Sequence, residues 1–222
     1  MAGILAVSAI AGLMPQNLSA APYGVKSIGV DDGLSQSMVY CMLQDSRGFM
    51  WFGTQDGLNR YDGKTVKVYR HNPDVPGSAC SDRYFAAWQD PDSRIWFGTN
   101  EGICIYSPRL DRFSRFGGAE FGGSDIDFCV RHISGDGEGN VWIAGDGASL
   151  FRYDRLSGKL ADFSLRAWAG SMGLDPNALS VRGVCPDGNS LWIATSGAGL
   201  LRLSLTGRSV TELSPESPGG VG

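Results

Sequence analysis

Apolar and polar positions alternate along most of the chain in short runs separated by turn residues. MVYCMLQ (38–44) is an apolar run of β-formers that ends at Asp45, and FMWFGT (49–54) follows a turn at 45–48. Asp56-Gly57 leads into LNRYD (58–62), where Leu58 and Arg60 alternate with Asn59 and Tyr61. Asp62-Gly63 then precedes TVKVYR (65–70), which alternates again. Period-two alternation between turn dipeptides predicts strands, and glycine supplies the positive φ that a tight hairpin needs. The pattern predicts four antiparallel strands in one small sheet.

The same phrase recurs. DSRGFMWFGT (45–54), DPDSRIWFGT (90–99), DGEGNVWIAG (136–145) and DGNSLWIAT (187–195) carry Trp51, Trp96, Trp142 and Trp192, spaced by 45, 46 and 50 residues. A period in the forties holding four strand-like runs is the sign of a propeller blade, not of a helical solenoid. The fold class expected is all-β: four-stranded antiparallel blades, about four of them, as an incomplete arc of a seven-bladed β-propeller. Tyr61, Tyr106 and Tyr153 fill one slot, which Leu203 takes in the fourth copy; Tyr69, Phe116 and Phe163 fill an outer-strand slot. Large apolar side chains recurring at one place pack blade on blade, which is the role expected for the tryptophans, with a sugar-stacking platform as the alternative. Asp45, Asp90, Asp136 and Asp187 recur at a turn, where a carboxylate binds nearby backbone N–H groups and fixes the hairpin.

Composition narrows the function. The chain has 222 residues, a net charge of −4 and 32 glycines, which suits many tight turns. Without a Lys/Arg cluster it offers nucleic acid no electrostatic footprint. Cys41, Cys104, Cys129 and Cys185 fall inside predicted strands and Cys80 in a loop, with no zinc spacing among them. They read as small buried hydrophobes with one leftover thiol; a disulfide is possible but not predicted. His71 and His132 lie in different repeats without metal-ligand spacing, so the sequence indicates no catalytic residues, no metal and no cofactor.

GILAVSAIAGLM (3–14), followed by Leu18-Ser19-Ala20-Ala21, has the apolar core and small-residue cleavage site of a secretory signal peptide, although no Lys or Arg precedes it. A buried strand or short helix is the alternative for that segment. The organisation expected is a signal peptide at 1–20 and an orphan outer strand with the entry to the first blade at 21–36. Blades follow at 37–71, 82–117, 126–165 and 178–214, and 215–222 is a truncated linker. VKSI (25–28) reads as an outer strand without its inner three, so further blades are expected beyond Gly222 and the chain is expected to be a fragment.

With these residues in hand, the stretch DDGLSQSMVYCMLQDSRGFMWFGTQDGLNRYDG resembles the two-component regulator propeller repeat. Asp31-Asp32-Gly33-Leu34-Ser35, Gln44-Asp45, Gly48, Trp51, Gly53-Thr54, Gly57-Leu58 and Tyr61-Asp62 carry the resemblance. The third copy departs from it with Ala144-Gly145 where Gly-Thr is usual, and the fourth keeps Trp192, Ala194-Thr195 and Gly199-Leu200. The resemblance implies the periplasmic sensor region of a hybrid two-component histidine kinase of the Bacteroidota type. In such proteins the propellers detect oligosaccharides and regulate glycan-use genes. It implies as partners an oligosaccharide ligand, the rest of the same propeller and receptor, and a receptor homodimer. No kinase motif lies in these residues, so the chain is not expected to be an enzyme. A propeller enzyme (a lyase or quinone-dependent dehydrogenase) and a stand-alone protein-interaction propeller are the alternatives.

The repeats differ most in the links from outer strand to next inner strand, HNPDVPGSACSD (71–82), GGAEFGGSDID (117–127) and LRAWAGSMGLDPNA (165–178). These should emerge on the same face as the turns between the second and third strands, where a rigid scaffold presents binding loops. Sugar recognition wants planar aromatic or guanidinium surfaces beside amides and carboxylates. Asn72, Arg83, Arg131, Trp168 and Arg182 from the links and strand starts, with Gln55, Asp56, Asn100 and Glu101 from the turns, are the candidate ligand-binding residues.

Overall fold

In a computed structural model of the chain, the described residues are 26–117, 121 and 125–213. The signal peptide and linker expected at 1–20 and 215–222 lie outside them.

Sixteen strands form four separate four-stranded sheets, each antiparallel and each ordered as in the chain. The first holds β1 (Val39–Gln44), β2 (Met50–Thr54), β3 (Leu58–Tyr61) and β4 (Val66–Tyr69). The second holds β5 (Tyr84–Gln89), β6 (Ile95–Thr99), β7 (Gly102–Ser107) and β8 (Arg112–Arg115). The third holds β9 (Val130–Gly135), β10 (Asn140–Gly145), β11 (Leu150–Asp154) and β12 (Lys159–Asp162). The fourth holds β13 (Ser180–Asp187), β14 (Ser190–Ser196), β15 (Leu200–Ser204) and β16 (Val210–Leu213). The first strand of each sheet packs on the first strand of the next, β1 on β5, β5 on β9 and β9 on β13. These are the blades of a propeller, arranged as an open arc.

A single sheet can bury only one face against itself, so the cores lie between sheets. Trp51 and Leu58 of the first sheet pack against Tyr84, Ile95, Phe97, Tyr106 and Phe113 of the second. Trp96, Ile103 and Ile105 meet Val130, Ile133, Ile143 and Tyr153 of the third. Trp142, Ala144 and Leu150 meet Val181, Leu191, Ile193, Leu201 and Leu203 of the fourth. Trp51, Trp96 and Trp142 are fully buried, each one the large side chain of its interface. Trp192 is only half-buried, with the Arg202 guanidinium 5.5 Å from its ring centre, because no fifth sheet follows among the described residues.

Close blade contact explains the Gly of the repeated Gly-Thr. A Cβ on Gly53 would sit 2.5 Å from Cys41 Sγ and 2.8 Å from Tyr84 Cβ; one on Gly98 would sit 2.8 Å from Val130 Cγ1 and from the Val130 carbonyl oxygen. The incoming inner strand occupies the space that a side chain needs.

Several local expectations change. The link 165–178, read as loop, contains a short helix α1 (Arg166–Ser171) whose Ala169 is buried; Leu165, Ala169 and Leu174 pack into the core between the third and fourth sheets, and that burial is what makes the turn helical. Cys129 lies before β9, not within a strand. Cys80 and Cys104 form a disulfide with Cα atoms 5.6 Å apart, because the 71–82 link folds back over β7. Phe116 and Phe163 follow β8 and β12 directly; their N–H groups still extend the ladder, to Ile103 O at 3.0 Å and Leu150 O at 2.9 Å. Of VKSI (25–28), read as an outer strand, the described residues 26–28 belong to no sheet, since no strand among the described residues lies beside them; a 3-10 turn at Val30–Asp32 follows.

The stretch after that turn explains a buried polar residue. Asn59 alternates as if it faced solvent, yet it is fully buried. Its Oδ1 accepts the Ser35 N–H at 2.8 Å and its Nδ2 donates to Ser35 Oγ at 2.9 Å and to Phe52 O at 3.3 Å. Ser35 Oγ lies 3.0 Å from Thr54 Oγ1. The Gly33-Leu34-Ser35 segment thus docks on the first sheet through polar groups that satisfy one another, as burial demands.

Candidate functional site

The links and the turns between second and third strands do lie together, and backbone hydrogen bonds hold them. Gly57 N–H donates to Asp82 O at 2.7 Å, Gly102 N–H to Phe128 O at 3.0 Å, and Ala148 N–H to Leu179 O at 2.7 Å. Each turn is therefore bonded to the end of the link that follows its own sheet. Within the turn the repeated Thr does the shaping. Thr54 Oγ1 donates to Gly57 O at 2.9 Å and accepts the Asp56 N–H at 3.0 Å. Thr99 makes the equivalent pair of bonds at 3.0 and 3.1 Å, and Thr195 at 2.8 and 3.1 Å.

Between the 71–82 link and the second sheet this face opens into a polar cavity of about 260 Å³ lined by His71, Cys80, Ser81, Asp82, Arg83, Asn100, Glu101 and Arg115. Three of the nine candidate residues, Arg83, Asn100 and Glu101, come together there. Its walls are braced from within. Ser81 Oγ donates to Asn100 Oδ1 at 2.8 Å, and Asp82 Oδ1 accepts the His71 N–H at 2.8 Å. Arg115 bridges the turn and the link, donating to Glu101 O at 2.8 Å and Cys80 O at 3.2 Å. The Cys80–Cys104 disulfide anchors the same link to β7. Arg83 is exposed and faces the cavity with its guanidinium uncommitted among the described residues. A cavity with the Arg83 guanidinium, the Asn100 amide, the Ser81 hydroxyl and the carboxylates of Asp82 and Glu101 suits a polyhydroxylated ligand with hydrogen-bonding groups on several sides. His71, Cys80, Ser81 and Asp82 come from the 71–82 link that the sequence marked, although none was named as a candidate; Arg115 lay outside the sequence reading, since no pattern marks a strand residue that bridges a link and a turn.

The other candidates are placed elsewhere. Asn72 shapes its own link: its Oδ1 accepts the Asp74 N–H at 3.0 Å and its carbonyl accepts from Ser78 Oγ at 2.7 Å. Asp56 pairs with Arg70 at 2.9 Å, and that hydrogen bond holds its carboxyl below the usual carboxylate range. Gln55 Nε2 donates to the Tyr40 hydroxyl. Trp168 sits on α1 beside a second cavity, about 190 Å³, whose walls include Phe163, Leu203, Arg208 and Val210. Arg131 forks onto Asp146 at 2.8 and 3.2 Å, and Ser180 Oγ donates to the same carboxylate at 2.6 Å. Burial works to raise the Asp146 carboxyl, but these hydrogen bonds and the charges of Arg131 and Arg182 outweigh it and hold it low. Arg182 is exposed at the start of β13. No cluster of metal-ligating side chains occurs among the described residues.

The repeated aspartates face the opposite task, closing the turns between first and second strands. Asp45 Oδ1 accepts the N–H groups of Arg47 and Phe49 at 2.9 and 3.0 Å. Asp136 does the same for Glu138 and Asn140, both at 2.9 Å.

Comparison with known proteins places this architecture. Residues 33–56 match the model of the two component regulator propeller. A stretch of 49 residues, 22% of the chain, is 55% identical to histidine kinase P4 of Formosa agariphila, of which it covers 4%. Among solved structures, the extracellular domain of a hybrid two component system from B. thetaiotaomicron superposes with a TM-score of 0.74 at 23% identity, over 87% of this chain and 27% of that one. The extracellular domain of a one component system from the same organism superposes with a TM-score of 0.62 at 25% identity, over 82% of this chain and 22% of that one. The chain spans about a quarter of the length of these structures. Residues 33–56 thus match a two component regulator propeller repeat, and the arc of blades around them has the fold of these extracellular domains.

Proposed function

We propose that the chain forms part of the extracytoplasmic ligand-sensing propeller of a two component sensor histidine kinase. In this reading the propeller stands in the periplasm, binds an oligosaccharide on the face built from links and turns, and so controls transcription of glycan-use genes. The remainder of the propeller and receptor, and a second receptor copy, are its partners. The observation that carries the reading is the repeat matched at 33–56, together with a 49-residue stretch 55% identical to a histidine kinase.

Two features support it. The Cys80–Cys104 disulfide belongs to an oxidising compartment, where such bonds form and persist. The cavity at Arg83, Asn100 and Glu101 is polar and braced, so its groups are held in place before a ligand arrives.

The test is a glycan array probed with the full chain, followed by titration calorimetry on whatever binds. Binding of an oligosaccharide that Arg83→Ala weakens about tenfold, the worth of one charge-assisted hydrogen bond, is the expected outcome. Binding to no member of the array would sink the proposal.

A further inference from the structure

Each inner strand carries one β-bulge near its start, at the same place in every sheet. The register skips Tyr40 between Val39 and Cys41, Phe85 between Tyr84 and Ala86, Arg131 between Val130 and His132, and Arg182 between Val181 and Gly183. The bulged residue stands eleven positions before its tryptophan in the first three copies and ten before it in the fourth. Four positions after each tryptophan comes a residue on the same face: Gln55, Asn100 and Asp146 beyond their strands, and Ser196 at the end of β14. Bulges re-aim side chains and cluster beside functional sites.

These residues join into one row across successive sheets. Gln55 donates to the Tyr40 hydroxyl. The Tyr40 and Phe85 rings meet edge to face with centroids 5.2 Å apart, and the Arg131 guanidinium lies 4.5 Å over the Phe85 ring. Arg131 is neutralised by its fork onto Asp146. Arg182, at the end of the row, is exposed and makes no hydrogen bond or ion pair among the described residues. The ladder slips at the same place in every blade. The bulged and turn residues are what change: aromatic with amide, aromatic with amide, guanidinium with carboxylate, guanidinium with hydroxyl.

We infer that this inner rim is a linear ligand site with one subsite per blade, each read by a bulged residue and its turn partner, and that its ligand is a carboxylate-bearing oligosaccharide. The inference rests on the oligosaccharide reading above and specifies its chemistry. The exposed Tyr40 ring takes the C–H face of a sugar, held in place by Phe85, which Arg131 covers, and Gln55 and Asn100 take hydroxyls. Arg182, whose charge acts on Asp146 but whose N–H groups make no hydrogen bond or ion pair among the described residues, forks onto a carboxylate, for which its planar geometry is suited. Asn100 also lines the polar cavity, so the rim and the cavity share a wall.

The experiment is calorimetric titration of the full chain with a galacturonate hexamer and with neutral maltohexaose, for the native protein, Arg182→Ala, Arg182→Lys and Phe85→Leu. The native protein should prefer the acidic hexamer, with affinity falling as salt rises. Arg182→Ala should remove that preference, a loss of about tenfold or more, and Arg182→Lys should restore only part, because an ammonium keeps the charge and loses the fork. Phe85→Leu should weaken the acidic hexamer at unchanged melting temperature. Equal affinity for the two hexamers, or an Arg182→Ala protein that binds the acidic one as well as the native does, overturns the carboxylate site and leaves the oligosaccharide reading standing. Binding of neither overturns the carboxylate site, and the glycan array then decides whether the oligosaccharide reading stands.

Discussion

Asp45 Oδ2 accepts the indole N–H of Trp51 at 2.9 Å, so the carboxylate that closes a turn also anchors the side chain that packs the next blade. Asp90 and Trp96 repeat the bond at 3.0 Å, and Asp187 and Trp192 at 3.1 Å. The third blade differs: Asp136 Oδ2 accepts Asn140 Nδ2 at 2.9 Å, and the buried Trp142 Nε1 has no partner among the described residues. Asp45→Ala strips acceptors from two backbone N–H groups and a buried indole, and should cost about 2–3 kcal/mol in denaturant unfolding. Asp136→Ala spares an indole bond that is not made, so it should cost less. Equal losses would mean that the indole bond contributes nothing.

The disulfide closes a loop with a sequence separation of 24 between Cys80 and Cys104. Loop-closure entropy for that length is worth about 3 kcal/mol. Cys80→Ser, or reduction of the native protein, should lower the melting temperature, and since the link lines the polar cavity, ligand affinity should fall with it. A protein whose melting temperature ignores reductant would not contain this bond.

Thiol chemistry should separate the remaining cysteines. Burial pushes the Cys41 thiol up to about 12 and the Cys129 thiol up to about 11, while Cys185 is exposed. A thiol with its thiolate disfavoured is a poor nucleophile. Native protein should therefore show one fast-reacting thiol, abolished by Cys185→Ser, with the other two released only on unfolding.

His132 carries a pH dependence. Burial lowers its pKa below the ordinary 6.5, and its Nε2 is enclosed without a hydrogen-bond partner. As pH falls through that ordinary value, the unfolded chain takes up a proton that the folded chain refuses, so stability declines until the folded pKa is reached. Above the ordinary value the two states bind equally and the effect vanishes. Unfolding free energy measured from pH 8 down to pH 5 should drop for the native protein and stay flatter for His132→Gln.

Glycine tests the blade spacing. Gly98→Ala places a methyl 2.8 Å from Val130 atoms of the next inner strand and should cost about 1–3 kcal/mol. Gly137 has open space and no positive φ, so Gly137→Ala should be neutral or slightly stabilising. A tolerated Gly98→Ala would show that the blades can separate freely.

What the sequence determined by itself was the periodic part. Alternation, turn dipeptides and the recurring tryptophan specify a four-stranded sheet repeated in register, because strand pairing inside a hairpin depends on residues a few positions apart. The aspartates were legible as turn residues for the same reason, while their bond to the indole needed the turn folded over the strand. Tertiary structure decided everything that joins one repeat to another. The Cys80–Cys104 pair, the burial of Asn59 by Ser35, the helix in the 165–178 link and the cavity wall at His71 and Arg115 all bring together residues with no periodic relation. The bulged row lies between these cases. Tyr40, Phe85, Arg131 and Arg182 stand almost in register with the tryptophans, yet a bulge is a slip of the ladder that composition does not mark, and only the paired strands reveal that these four side chains share one rim.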